Sequence, residues 1–120
     1  MSIKAVNQFA PEWYTPKSEK GADKPARFQL VGLDGIVQSQ LAAEIDFTAA
    51  EYEIGPGALA ILIRNGVRGW ENVTDGDKKP LPFPEGEGEA VQRALSYFRQ
   101  AELARQIFEL TFLQPADKKK

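Results

Sequence analysis

The chain has 120 residues and a formal net charge of −2, with 42% hydrophobic and 27% charged residues. This composition is typical of one globular domain, and the lack of a basic excess argues against a duplex nucleic acid partner. The sequence contains no histidine and no cysteine, which excludes disulfides, thiolate metal sites and catalytic triads that use histidine.

Apolar runs in the sequence are short. The longest, at residues 58–63, falls far below the roughly 18 residues that a membrane-spanning helix needs. The first residues also lack the apolar core of a signal peptide. We therefore expect a soluble cytoplasmic protein with no membrane partner.

The N-terminal quarter of the chain predicts a strand within residues 1–10 and then a mobile loop over 11–25. Three prolines and a glycine interrupt this second stretch, which is rich in lysine and glutamate. Trp13 and Tyr14 are exceptions in it, because two adjacent aromatic side chains need a cover or a partner. We regard both as candidate partner-binding residues.

The next region predicts a strand followed by a helix. Residues 27–30 alternate between polar and apolar side chains, which is the period of a half-buried strand. A glycine-bounded turn at 32–35 follows. Apolar residues then recur at spacings near three and four over 36–45, which predicts a helix with one apolar stripe.

Two helix starts are marked in the middle of the chain. Thr48 and Glu51 have the spacing of a capping box. Pro56 is placed to open a further helix over 57–64. The Asn-Gly pair at 65–66 is expected to end that helix, because both residues tolerate left-handed backbone geometry.

An extended run at 67–74 follows, and Trp70 within it is expected to be a core aromatic, in preference to an exposed binding residue. Asp75-Gly76 is a strong turn signal. The proline-rich stretch at 78–84 should then cross the surface in an extended form, with its two large apolar side chains facing inward.

Asp75 and Asp77 have an alternative interpretation as the start of a calcium-binding loop. Such a loop requires glycine at its sixth position and a bidentate glutamate at its twelfth. Those positions hold Pro80 and Gly86. The spacing therefore excludes this kind of metal site and favours a solvated turn.

The C-terminal part predicts one long helix over about residues 89–113. Its apolar stripe changes phase between Phe98 and Leu103, which indicates either a bend or a second packing partner for the later half. Packing against the chain's own core is favoured for this half, and an oligomer contact is the alternative. The apolar residues concerned include Phe108, Leu110 and Phe112.

These elements together predict an α+β fold, a mostly helical single domain with a small antiparallel sheet or hairpin and a long C-terminal helix. We divide the chain into an N-terminal strand and loop at 1–25, the domain at 26–114, and a lysine-rich tail at 115–120. The glycines lack the spacing of a phosphate-binding loop. No cofactor is expected.

The stretch from 66 to 83 resembles a pattern in the tail assembly chaperones of tailed bacteriophages. Those proteins carry a buried-looking helix, Gly-Trp with a short extended run, an Asp-Gly turn, a Leu-Pro-Phe segment and a final helix. The matching residues are Val67, Gly69, Trp70, Asn72, Val73, Asp75, Pro80, Leu81, Pro82 and Phe83. With the strand at 27–30, the resemblance covers about residues 26–113. The chain departs from the pattern at 75–79, where a glycine nearer the lysine is usual, and at 85–88, where a serine or threonine cap is expected.

The resemblance implies a role without catalysis. Such chaperones bind the long, apolar tape-measure protein, keep it soluble and recruit tail-tube subunits, and they are absent from the finished virion. It places the protein in the cytoplasm of an infected or lysogenic host, with a homo-oligomer as a further possibility. The candidate binding residues are Trp13, Tyr14, Phe108, Leu110 and Phe112.

Two other functions remain open at this point. Another small phage structural protein, such as a tail-completion or head–tail joining protein, would share this composition. An enzyme dependent on carboxylates would need a pocket that holds two or more of them, and no spacing in the sequence proposes one.

Overall fold

This computed structural model describes residues 10–45 and 54–112. Within them lie three strands, four α-helices and one turn of 3-10 helix at Lys17–Glu19. The strands are β1 (Glu12–Tyr14), β2 (Arg27–Leu30) and β3 (Val67–Glu71). The helices are α1 (Gly35–Ala42), α2 (Pro56–Gly66), α3 (Gly88–Ala94) and α4 (Tyr97–Phe112). The predicted α+β class with a small antiparallel sheet is confirmed.

Several predictions concern residues that lie outside the described ranges. They are the strand within 1–10, the capping box of Thr48 and Glu51, and the tail at 115–120. Within the described ranges, no helix combines the length and the hydropathy that a membrane span requires.

The sheet is antiparallel, with β2 between β1 and β3. Phe28 and Leu30 of β2 are buried, as the alternation predicts, and Gln29 between them is partly exposed. Phe28 lies opposite Tyr14 on one side and Trp70 on the other. Residues that lie directly opposite each other on paired strands point to the same face of a sheet. These three rings therefore share the face that covers the core.

The helices form the other layer, and α2 is the one on which the others pack. It begins at Pro56, whose missing N–H costs nothing at a first helical position. Leu62 and Ile63 of α2 are fully buried. At the start of α1, the Asp34 carboxylate accepts the N–H of Val37 at 3.0 Å and so caps the helix.

Gly66 ends α2 as expected, but the physical reason given for it was wrong. Its backbone is helical, and the described glycines with positive φ are Gly21 and Gly86. A Cβ atom on Gly66 would lie 2.6 Å from the side chain of Ile107. The glycine is therefore required by the close approach of α2 to α4.

The predicted loop over 11–25 is wrong at its start, where β1 forms. This strand pairs with β2 along its three residues. Further along, Pro16 is fully buried, and the Glu19 carboxylate accepts the N–H of Ala26 at 2.9 Å. The polar composition concealed these contacts, because a short edge strand is stabilised by its neighbour and not by its own propensity.

The prediction of one continuous helix over 89–113 is also wrong, because the chain breaks at Leu95 and Ser96 between α3 and α4. The Ser96 hydroxyl accepts the N–H of Arg99 at 3.2 Å, which caps α4. The buried Gln100 amide donates to the carbonyl oxygens of Gln92 at 3.0 Å and Leu95 at 2.8 Å. Carbonyls at the end of α3 are thereby satisfied without a continuing helix.

The predicted turn at Asp75 is confirmed. One Asp75 carboxylate oxygen accepts the N–H groups of Asp77 at 2.8 Å and Lys79 at 3.0 Å. Lys78 adopts a φ of 63°, a left-handed conformation that glycine adopts with less strain. The departure from the family pattern noted above thus falls at the position where a glycine would fit best.

Candidate protein-binding surface

Trp13 and Tyr14 are adjacent in sequence, but the structure places them on opposite faces of the sheet. Trp13 is 46% exposed. The guanidinium of Arg27 lies 5.0 Å from its ring centroid, and Arg27 also forms an ion pair with Glu71. Trp13 therefore belongs to the face turned away from the helices, and it shares no binding surface with Tyr14.

Tyr14 faces the helical layer, where it is half-buried. Its hydroxyl donates to Glu102 Oε2 at 2.8 Å, and Glu102 Oε1 accepts from Arg99 at 2.7 Å. Burial raises the pKa of Tyr14 to about 12, with further contributions from the hydrogen bond to Glu102 and from the negative charge of that carboxylate. This contact fixes β1 to α4.

The three candidate residues on the later half of α4 are half-buried and pack against the core. The rings of Phe108 and Phe112 are 4.7 Å apart between centroids. Core packing, which the sequence favoured for this part of the helix, is confirmed. Whether Phe108, Leu110 and Phe112 also contact a partner remains a prediction.

Among the described residues, the most exposed large apolar side chains lie elsewhere, at positions that the sequence did not mark as surface. Phe98 is 81% exposed, Tyr97 is 63% exposed, and their ring centroids are 5.4 Å apart. We call these two residues the exposed aromatic pair. Ile36, at the start of α1, is 74% exposed. In one continuous helix Phe98 would belong to the apolar stripe, so its exposure follows from the break before α4.

A signal for the exposed aromatic pair was present in Ser96. Serine is a favoured helix-capping residue, and here it opens a new helix just before the two rings. The break changes which side of the helix faces the core. Leu103 and Ile107 of α4 are fully buried, and the rings at the start of the helix face solvent.

The residues that carry the family resemblance lie together around β3 and the hairpin that follows it. The Trp70 indole N–H donates to the carbonyl oxygen of Leu81 at 2.7 Å, and its ring packs edge-on against Phe83 at 5.0 Å. Trp70 is buried, so its predicted core role is confirmed. Gly69 lies against Gln29, whose side-chain oxygen would be 3.2 Å from an added Cβ atom.

Pro80 forms an isolated bridge with Thr74, on the far side of the turn from β3. With Asp75 in the turn, six of the ten matching residues therefore have structural roles in this hairpin and its packing: Gly69, Trp70, Asp75, Pro80, Leu81 and Phe83. None of them presents a reactive group to a cleft.

The acidic side chain of Asp75 serves the backbone of its own turn. The Asp75 carboxylate is occupied by the two backbone N–H groups of its own turn. Among the described residues, no three side chains of histidine, cysteine, aspartate or glutamate lie close enough to hold a metal ion.

Comparisons with protein-family models, curated proteins and solved structures find no match for this chain.

Proposed function

We propose that this protein is a tail assembly chaperone of a tailed bacteriophage. It binds the tape-measure protein, keeps that client soluble and helps to recruit tail-tube subunits in the cytoplasm of the bacterial host. The observation that carries the proposal is the exposed aromatic pair at the start of α4. The sequence resemblance described above supplies the identity of the client.

The physical argument rests on the cost of leaving these rings in water. Burying a phenylalanine side chain is worth about 1.5–3 kcal/mol, and Phe98 forgoes most of that in the free protein. A partner that covers Tyr97 and Phe98 recovers this free energy. Because both rings project from a capped helix, little conformational entropy is lost when they are covered.

An apolar, helical client suits such a site. Adjacent aromatic side chains on a rigid helix can act as anchors for an amphipathic partner helix, in the manner of interface hot spots. The Arg99–Glu102 ion pair, which follows the two rings on α4, helps to keep the free chaperone soluble while the rings are exposed.

The test is binding of the tape-measure protein encoded by the same genome, measured by co-purification and by calorimetry. Replacing Tyr97 and Phe98 with serine should raise the dissociation constant by about 30-fold or more, as expected for the loss of a hot spot worth at least ~2 kcal/mol. Ile36→Ser is the matched control, since it removes an equally exposed apolar side chain from a different helix.

Unchanged binding by the Tyr97→Ser/Phe98→Ser variant would contradict the proposed site. The Phe108→Ser/Phe112→Ser variant distinguishes a binding role of these rings from a packing role. Loss of folding in this variant indicates packing. The protein should also be missing from purified virions. Its presence in them would favour a tail-completion or head–tail joining protein.

A further inference from the structure

A groove of 570 Å³ lies where the end of α2, the start of β3 and the segment leading into α3 meet. Val67 and Phe83 contribute apolar surface to it. Arg64 and Arg68 line it from α2 and β3, whereas Glu85 and Glu87 line it from the opposite segment. We call residues 85–87 the acidic turn.

None of the four charged side chains of the groove belongs to an ion pair within the described part of the chain. The ion pairs found there join Arg27 to Glu71, Arg93 to Glu89 and Arg99 to Glu102. Arg64 donates from Nε to the side-chain oxygen of Gln92 at 2.9 Å, which leaves its two terminal nitrogens for another acceptor.

The acidic turn is an exposed projection beside the groove. Glu85, Gly86 and Glu87 are all exposed to solvent. Gly86 has a φ of 76°, and the N–H of Glu87 bonds to the carbonyl oxygen of Pro84 at 3.1 Å. The surface therefore places a negatively charged projection next to a recess with two arginines.

We propose that this surface is a contact between two copies of the chain. In a two-fold symmetric pair, both copies use the same surface patch, so every contact between the copies occurs twice. The acidic turn of each copy then enters the groove of the other and lies against Arg64 and Arg68. The partner covers the half-buried ring of Phe83 at the same time.

Opposite charges on the two sides of the groove favour this occupant over a simple anion. A phosphate or an acidic peptide would be attracted by the arginines but repelled by the two glutamates. A second copy presents both an acidic turn and two arginines, so the positive and the negative side chains of the groove each face opposite charges on the other copy. This inference does not depend on the identity of the client proposed above.

Sedimentation velocity over a range of protein concentrations gives the first test. The wild-type chain should form dimers with a dissociation constant that rises with salt, because partly exposed charge pairs are screened. A chain that stays monomeric at every concentration in low salt would overturn the proposal.

A charge-exchange experiment gives the decisive test. The variants R64E/R68E and E85R/E87R should each lose self-association, by about tenfold or more in the dissociation constant, because like charges meet at both contacts. Mixing the two variants in equal amounts should restore a dimer that contains one copy of each. In that mixed pair the turn and the groove are again opposite in charge at both contacts.

R93E/R105E is the matched control, because it makes the same change in net charge at two exposed arginines outside the groove. It should dimerise like the wild type. If R64E/R68E does not fold because the bond from Arg64 to Gln92 is lost, the single variants R68E and E87R replace the two double variants in the same experiment. Failure of the mixed sample to dimerise, with both variants folded, overturns the proposal even if the client still binds.

Discussion

At the scale of single residues, the contact between Tyr14 and Glu102 explains why a polar N-terminal segment is ordered. The phenol lies between the sheet and α4, and it donates to a carboxylate that Arg99 also holds. No local pattern in the sequence predicts this contact, because its two partners are 88 positions apart. The polar neighbours of Tyr14 in the sequence suggested a partner-binding role, whereas in the structure its hydroxyl donates to Glu102 of the same chain.

This contact predicts how stability depends on pH. The pKa of Tyr14 is raised from 10.0 to about 12 in the folded protein, so the folded state binds a proton that the unfolded state releases between these values. The stabilisation is complete below pH 10 and is lost as the pH rises towards 12. As the pH rises from 10 to 12, the free energy of unfolding of Tyr14→Phe should therefore fall less steeply than that of the wild type.

Chemical denaturation at a series of alkaline pH values measures this difference. Tyr97→Phe is the control, since Tyr97 is exposed at the surface of α4. Parallel stability curves for the wild type and Tyr14→Phe between pH 10 and 12 would contradict the prediction.

At the scale of secondary structure, the approach of α2 to α4 depends on one missing side chain. Ile107 is fully buried and cannot move away. A Cβ atom at Gly66 would meet its Cδ1 and Cγ2 atoms at 2.6 Å. The two helices would have to separate, at a cost that overpacked cores usually place at about 1–3 kcal/mol.

Gly66→Ala should therefore lower the free energy of unfolding by about 1–3 kcal/mol. Gly57→Ala, in the same helix, is the matched control, because its added methyl group meets only the flexible end of the Glu44 side chain. That change should be neutral or stabilising by up to about 1 kcal/mol. Thermal and urea unfolding of the two variants test the contrast.

The cost of Gly66→Ala should shrink when Ile107→Ala is also present, because the clashing side chain is then removed. Equal costs in both backgrounds would show that the glycine serves another purpose.

At the scale of the whole molecule, much of the fold was predictable because its local signals agree with its packing. The strand at β2, the helix that opens at Pro56 and the turn at Asp75 all follow from short patterns that their surroundings reinforce. The break at Ser96 was not predicted, because the Gln100 side chain satisfies the carbonyls at the end of α3, and a pattern of apolar spacings does not reveal this polar contact. The exposed aromatic pair was missed for the same reason, since its orientation follows from that break.

Thr111 joins α4 to the segment that connects β2 with α1. Its buried hydroxyl accepts the N–H of Leu33 at 3.0 Å and donates to the carbonyl oxygen of Ile107 at 2.8 Å. Thr111→Val keeps the shape but leaves the Leu33 N–H buried without an acceptor. The free energy of unfolding should fall by about 1–3 kcal/mol.

Denaturant unfolding measures this loss, and faster amide exchange at Leu33 should accompany it. Ser39→Ala removes an exposed hydroxyl that donates to Gly35, and it should change stability by less than about 0.5 kcal/mol. A loss in Thr111→Val no larger than in Ser39→Ala would show that the buried bond adds little.

The alternating prolines after the turn have a consequence for behaviour at high concentration. The N–H of Leu81 points inward to the carbonyl oxygen of Val73, so the positions of Pro80 and Pro82 fall on the outward side of this segment. Proline has no N–H to offer there, and an incoming strand finds no donors with which to extend the ladder. The outward edge of this hairpin therefore resists the addition of further strands and opposes fibril growth, which matters for a protein that also exposes aromatic rings.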